Sequence, residues 1–327
     1  MTQEVVFICR RRLWRAGSKI MRCDQLAEIG RCNLGERYRF SVRALPQMAT
    51  DDARRDFAES LAGSIVVLLK GTAAMLGQEG MRMLRAASRG LAIDYVDGHA
   101  GECFSPHADL HIAASHAGEA ILRRVLARKG SVDGRAGVAY LTHHHDPRLE
   151  GMVPRRQDTL RAAYLGHPRN VHIPREISHR IQRIALGRGA GMPAAFDRLC
   201  DFNLHYTIRP PGPAGAPDGD VAKPFTKGFV AAALGANVLV TRDTDDAELY
   251  LGREYPFLVD DSAPATIAAA LDRAEDLYDT SAWREASERM RYLREMSSPR
   301  HVAREFDVIL SRLQVRGGAA RKGRPGP

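Results

Sequence analysis

Short apolar runs alternate with amphipathic stretches from the first residues onward. VVFIC (Val5 to Cys9) reads as a buried strand and Lys19 to Ile29 as a helix. RYRFSVRAL (Arg37 to Leu45) and SIVVLLK (Ser64 to Lys70) read as strands on either side of DDARRDFAESLAG, a helix that Asp51 or Asp52 is placed to cap. GLAIDYV, DLHIAAS and GVAYLTH follow as strands, with MRMLRAAS and HAGEAILRRVLARKG as helices between or beside them. Strands rich in Val, Ile and Leu, separated by helices of about ten to fifteen residues, predict βαβ units and a parallel sheet.

HHHDPRLEGMVPRRQDTLR (His143 to Arg161) breaks this rhythm: it is polar and basic and carries Pro147 and Pro154, as a linker does. A second α/β series follows. LRAAYLG, NVHIP, FNLHYTI, NVLVT and FLVDD supply strands, and ISHRIQRIAL, TKGFVAAALG and PATIAAALDRAEDLY supply helices, the last with Pro264 in its first turn. A single long helix is expected from Trp283 to about Leu313, and residues 316–327 read as a disordered basic tail. PPGPAGAPDGD (Pro210 to Asp220) reads as a mobile loop. The expectation is an α/β chain of two Rossmann-like domains, residues 1–150 and 151–315.

A chain of 327 residues suits two domains of roughly 150 each. Five scattered cysteines without a C-x-x-C pair indicate neither a disulfide framework nor a cysteine zinc site. No apolar run approaches the 18 or so residues that span a bilayer, and Glu4 before the first apolar run with three arginines after it reverses the charge order of a secretory signal. A cytoplasmic location is expected. The 48 basic and 39 acidic side chains give a net charge of +9 and favour an anionic partner. Only six of the 48 are lysines, leaving 48 − 6 = 42 arginines, so much of the basicity is compositional. The arginine runs are dispersed and not interleaved with aromatics, which total 6%, so nucleic acid is not expected as a partner. A solvated face, or one in peripheral contact with an anionic membrane surface at the inner leaflet, fits them better.

Two of the six lysines fall within five residues of each other in KPFTKGFVAAALGANVLVT (Lys223 to Thr241), where a loop opens an alanine-rich helix that ends at Gly235 and feeds a strand. Unpaired N–H groups and the helix dipole favour an anion at such a start, and Lys223, Lys227 and the Thr226 hydroxyl would add to it. The plainer alternative is an ordinary helix capped by Thr226 with solvated lysines. This segment resembles the KP-S/T-x-K-…-A-x-G-x-PVI segment of the GT-B glycosyltransferases, especially bacterial enzymes of polysaccharide synthesis grouped as families 1 and 4. The resemblance runs from AAYLGHPRN through LHYTIRP and YPFLVDD to the last helix. It implies two Rossmann-like domains facing across a cleft, with a nucleotide-sugar donor on the C-terminal domain and the acceptor on the N-terminal one. By position it implies that Lys223, Pro224, Thr226 and Lys227 lie along the donor's nucleotide and diphosphate, with Arg169 as a further diphosphate contact. Where many relatives carry a glutamate that holds the donor ribose, this chain has Val230.

Three other segments are candidates. Gly17, Ser18 and Lys19 follow the first strand and lead into a helix, a place for a diphosphate or acceptor contact or simply a basic turn capped by Ser18. The segment lacks G-x-G-x-x-G, which counts against a dinucleotide-binding oxidoreductase. Asp97 and His99, just after the strand in IDYVDGHAGE, are placed to take a proton from an acceptor hydroxyl, although Asp-Gly also makes ordinary turns. THHHDPRL (Thr142 to Leu149) offers at most two histidines on one face and no evident third ligand, so no metal or other cofactor is expected. The expected activity is transfer of a sugar from a nucleotide-diphosphate donor to a hydroxyl of a glycan, lipid-linked or protein acceptor. The rivals are a non-catalytic sugar-phosphate or polyanion-binding protein on a degenerate scaffold, and a different Rossmann-type enzyme such as an epimerase.

Overall fold

The structure, a computed structural model, describes residues 2–48, 50–186, 191–210 and 221–322, the last seven by their backbone alone. Most of the predicted loop at 210–220, and the tail beyond 322, lie outside the described residues. The chain divides into two compact units. The first comprises Met1–His143, Pro217–Pro224 and Pro299–Pro327, and the second His144–Ala216 and Phe225–Ser298. The chain thus leaves the first unit seven residues before the expected boundary at 150, and its final helix belongs to the first unit rather than the second.

In the first unit the elements run β1 (Gln3–Cys9), α1 (Gly17–Lys19), a π-helical turn (Ile20–Gln25), α2 (Leu26–Leu34), β2 (Tyr38–Ala44), α3 (Asp51–Glu59), β3 (Ile65–Leu69) and α4 (Thr72–Ala87). They continue with β4 (Gly90–Asp94), α5 (Ala100–Cys103), β5 (Leu110–Ala113), α6 (His116–Lys129) and β6 (Gly137–Tyr140). The strands form one parallel sheet in the order β2-β1-β3-β4-β5-β6. Alternate residues of the central strands enter opposite cores: Val5, Phe7, Ile65 and Val67 on one face, Val6, Ile8, Val66 and Leu68 on the other. Both faces are buried, which is why these strands are continuous apolar runs. The caps of α3 and α6 are Thr50 and Ser115, whose hydroxyls accept from Ala53 N and Gly118 N; Asp51 and Asp52 are the first two residues of the helix they were expected to cap.

The second unit contains β7 (Ala162–Leu165), β8 (Ile181–Ile184), α7 (Gly191–Leu199), β9 (Leu204–Tyr206), α8 (Thr226–Ala233), β10 (Asn237–Thr241), α9 (Ala247–Leu251), β11 (Leu258–Val259), α10 (Pro264–Leu277) and α11 (Ser281–Met296). Its parallel sheet has the order β11-β10-β9-β7-β8. Two expectations fail here. NVHIP forms no strand, and ISHRIQRIAL is not a helix but a 3-10 turn (Arg175–Arg180) followed by β8. Ile177, Ile181 and Ile184 are buried at spacings of four and three, which imitates a helix face although the last two belong to a strand. The long terminal helix is also two helices: α11 ends at Met296, and α12 (Pro299–Lys322) packs Val302, Phe306, Ile309, Leu310 and Leu313 on the first sheet. Pro299 has no N–H to continue the ladder and restricts Ser298 before it, so the helix breaks there.

Both sheets follow one winding rule. The first strand leads outward to the second, and the chain then returns to the first strand's other side, so strand order reverses between β1 and β3 and between β7 and β9. Ligands of open α/β sheets bind beyond the carboxyl ends of the strands at such reversals.

Candidate functional site

At the carboxyl end of β7 the chain reads Tyr164-Leu165-Gly166-His167-Pro168-Arg169. Tyr164 is 1% exposed, its hydroxyl donates to His167 O at 2.9 Å, and burial pushes that hydroxyl up to about 12. Gly166 has a positive φ of 157°, and a Cβ there would collide with the Tyr164 ring. Glycine is therefore what lets the strand end fold back over the aromatic ring. The following 3-10 turn (Pro168–Asn170) exposes Arg169, whose backbone N–H is held by His167 Nδ1 at 3.2 Å.

The Lys227 ammonium lies on the face of the Tyr164 ring, 4.0 Å from its centroid. Lys227 is the second residue of α8, a helix without a side-chain cap: its N-cap is Phe225, and Thr226 is the first helical residue rather than the cap. The Phe225 ring packs where a side chain at Gly228 would stand, so the glycine permits this start. Burial, reinforced by the Arg209 guanidinium, pushes the Lys227 ammonium down to about 7. Arg209 follows β9, so the two strand ends on either side of the reversal and the start of α8 converge on one place. Lys227 meets no carboxylate among the described residues; its neighbours are an aromatic face and another cation. Such surroundings favour an anion, which would relieve the repulsion between Lys227 and Arg209 and meet the N–H groups of the helix start.

Of the residues singled out in the sequence, Thr226, Lys227 and Arg169 belong to this unit, with no described contact between the Arg169 side chain and Lys227. Lys223, exposed, and Pro224, buried, fall in the segment assigned to the first unit. Val230 packs half-buried against a cluster that includes Leu149, Ala163 and Ile184. Tyr164 and Arg209 were not anticipated. The signal for Arg209 was a basic residue directly after the strand LHYTI; for Tyr164 there was none, because its role comes from a lysine 63 positions away in sequence.

The first unit's candidates are placed differently. Gly17, Ser18 and Lys19 form α1, with Ala16 rather than Ser18 as N-cap. The Lys19 ammonium is buried between Asp24, at 2.8 Å, and the Trp14 ring, at 3.7 Å from its centroid. Asp97 takes a positive φ of 43° in the turn after β4, where Lys70, at the end of β3, forms an ion pair with its carboxylate. His99 is the exposed N-cap residue of α5. Asp97 and His99 are thus both at the carboxyl end of the sheet, two residues apart on one turn. The histidine run divides between the units. His143 belongs to the first, while His145 in the second is buried with Nδ1 2.9 Å from Ser297 Oγ and Nε2 2.5 Å from Glu150. No group of three or more metal-ligating side chains occurs among the described residues. No helix among them is long and apolar enough to cross a membrane.

No family model matches the chain, and no curated protein matches it by sequence. Solved structures do match by fold. The chain is similar to a glycosyltransferase from Rickettsia africae, with TM-score 0.63 and 9% identity over 95% of this chain and 98% of that one. It is similar to HepE of Anabaena, solved in complex with UDP, with TM-score 0.60 and 11% identity over 94% of this chain and all of that one, 100%. Against the GtfA/B complex the TM-score is 0.52 at 13% identity, and the chain spans 60% of that chain's length. The fold is that of the GT-B glycosyltransferases. Identities this low establish the fold, and what the chain does must be argued from its own residues.

Proposed function

We propose that the protein is a glycosyltransferase that takes a sugar from a nucleotide-diphosphate donor and places it on a hydroxyl of a glycan, lipid-linked or protein acceptor. The observation that carries this reading is the Lys227 ammonium, held on the Tyr164 ring beside Arg209 at the uncapped start of α8, where β7 and β9 diverge. As the bond to the sugar lengthens, negative charge accumulates on the departing diphosphate. Cations and helix N–H groups already in place lower that barrier, because they need not reorganise as the charge develops. In this reading Lys227, Arg209 and the backbone of Thr226 and Lys227 hold the diphosphate, with Arg169, Lys223 and Pro224 along the donor. The acceptor is assigned to the first unit, where the Asp97 carboxylate, held by Lys70, or His99 would receive the hydroxyl proton. HepE, a neighbour in fold, was solved with UDP, which makes UDP the first donor fragment to try.

Isothermal titration with UDP, GDP, ADP and CMP tests the donor site. Binding of one of the diphosphates, weakened in Lys227→Ala, is the expected result; no binding by any of them removes the donor site. A screen for slow donor hydrolysis over nucleotide sugars then tests the chemistry. Binding without turnover of any donor would favour the second reading, a non-catalytic binding protein, which Val230 supports by placing an apolar side chain where many similar enzymes carry a carboxylate.

A further inference from the structure

Among the described residues, fifteen arginines sit beside a carboxylate. Arg31 pairs with Glu28, Arg54 with Asp51, Arg55 with Asp52, Arg123 with Glu119 and Arg180 with Asp272, so their charges are neutralised where they stand. The connection that follows β1 is different. Arg10, Arg11, Arg12 and Arg15 form no salt bridge with any described residue, and Arg10 and Arg12 are close enough for each to feel the other's charge. Arg11, Arg12 and Arg15 are exposed. The segment itself has no acidic side chain, and the first one after it, Asp24, is taken up by Lys19.

Large apolar side chains project from the same place. Trp14 is 42% exposed and Ile20 is 37% exposed, although Leu13 between them and the core packs inward. Trp14 keeps its orientation because the Lys19 ammonium lies on one face of its ring, leaving the rest of the indole outward. The neighbouring connection adds to the patch: the Arg10 guanidinium lies against Gly71, and Met75, in the first turn of α4 after that glycine, is 59% exposed. An indole, an isoleucine and a methionine set among unpaired arginines match the two layers of an anionic bilayer surface. Arginines meet the head-group phosphates, and the amphipathic indole sits at the boundary with the acyl chains. A soluble acidic glycan would account for the arginines but leave Ile20 and Met75 in water.

We propose that the β1 connection, Arg10 to Ile20, together with the start of α4, docks the protein on an anionic lipid bilayer. This does not rest on the donor reading, since every residue of the patch lies in the first unit. Trp14 makes the test direct, because the chain's other tryptophan, Trp283, is 8% exposed in the core of the second unit. The full chain is titrated with phosphatidylcholine vesicles, with and without phosphatidylglycerol, at low and high salt, and tryptophan emission and co-sedimentation are read together. The expected result is a blue shift and co-sedimentation with the phosphatidylglycerol vesicles, weakened by salt. Each surface arginine contributes a factor of about five, so replacing Arg11, Arg12 and Arg15 together by Gln should weaken partitioning about 100-fold. Trp14→Ala should abolish the blue shift, and Ile20→Ser, which leaves the Trp14–Lys19 contact intact, should weaken partitioning severalfold. Equal binding to both vesicle types, no binding to either, or the same shift with a soluble sulfated polysaccharide would overturn the proposal. Titrating UDP on the same preparations keeps the two readings apart, since loss of lipid binding should leave nucleotide binding unchanged.

Discussion

The two sheets share one winding rule, yet their reversal points carry opposite chemistry around the lysines. Beside β1 and β3, Lys19 meets Asp24, Lys70 meets Asp97, and behind them Arg22 is fully buried against Asp94 at 2.8 Å. Beside β7 and β9, Lys227 meets a ring face and Arg209, with no carboxylate among the described residues. A diphosphate arriving at the first set would have to displace carboxylates from their partners. At the second it would separate two like charges and restore the full charge of a lysine that burial holds near neutrality. Equal topology therefore gives one edge held together by ion pairs and another poised for an anion, and in the proposed function it is side-chain pairing rather than fold that puts the donor on the second unit.

The comparison makes its largest prediction in the first unit. The Arg22 Nε and Nη1 groups donate to Asp94 and to the carbonyls of Leu141 and Thr142, which ties the turn after β1 to the ends of β4 and β6. Arg22→Ala leaves the Asp94 carboxylate buried and without its cation, so urea unfolding should show a loss of about 3–5 kcal/mol. The joint replacement Arg22→Met with Asp94→Leu should recover most of that. An unchanged midpoint for Arg22→Ala would mean that the pair does not hold this edge. Next in size is the contrast between lysines. Lys227→Ala should weaken binding of the preferred nucleoside diphosphate about 30- to 100-fold, as loss of a charge-assisted contact of about 2–3 kcal/mol does. Lys19→Ala should change it less than about twofold. Comparable losses at both positions would erase the distinction between the two edges.

Much of this is legible in the sequence. Strands such as β1, β3 and β10 announce themselves because burial on both faces leaves mostly apolar runs between the turns, whereas β8, with Gln182 and Arg183 exposed, does not; Lys227 stood out through the scarcity of lysine. What the sequence could not reveal is pairing over distance and over unusual turns. Asp24 follows Lys19 by five residues, a spacing an α-helix does not bring together. The π-helical turn Ile20–Gln25 does so, and that engages a lysine that reads as a phosphate ligand. Tyr164 and Arg209 reach Lys227 from strands that precede it, so no local pattern marks them. The misread ISHRIQRIAL fails for the opposite reason: its local pattern was clear and belonged to two different elements.

Lys227 should also carry a stability cost. Its folded value, about 7, lies well below the 10.5 of an ordinary lysine, so the charged form is disfavoured by folding. The penalty is fully present below pH 7 and fades as pH rises from 7 towards 10.5, because there the unfolded chain binds more protons than the folded one. Lys227→Met should therefore raise stability by about 1–2 kcal/mol at pH 6, a figure reduced for the residue's partial contact with water, with the gain shrinking towards pH 10. Thermal melts of both proteins across this range measure it. A pH-independent difference would mean that the gain comes from packing alone. The same titration acts with the opposite sense on binding. A diphosphate favours the protonated lysine, so wild-type affinity should fall as pH rises above 7 while that of Lys227→Met stays flat.

The smallest effect is expected at Thr226. A capping threonine would cost about 1 kcal/mol of stability on removal, but Thr226 is the first helical residue and caps nothing. Thr226→Ala should leave the melting temperature within experimental scatter, since alanine suits the helix at least as well. If its hydroxyl donates to the diphosphate, nucleotide affinity should fall by no more than about fivefold, the worth of a single neutral hydrogen bond near 1 kcal/mol. The two readouts separate the two roles a threonine can have at a helix start. Loss of stability with affinity intact would restore Thr226 as a cap, and the start of α8 would then be closed by its own side chain instead of open to a ligand.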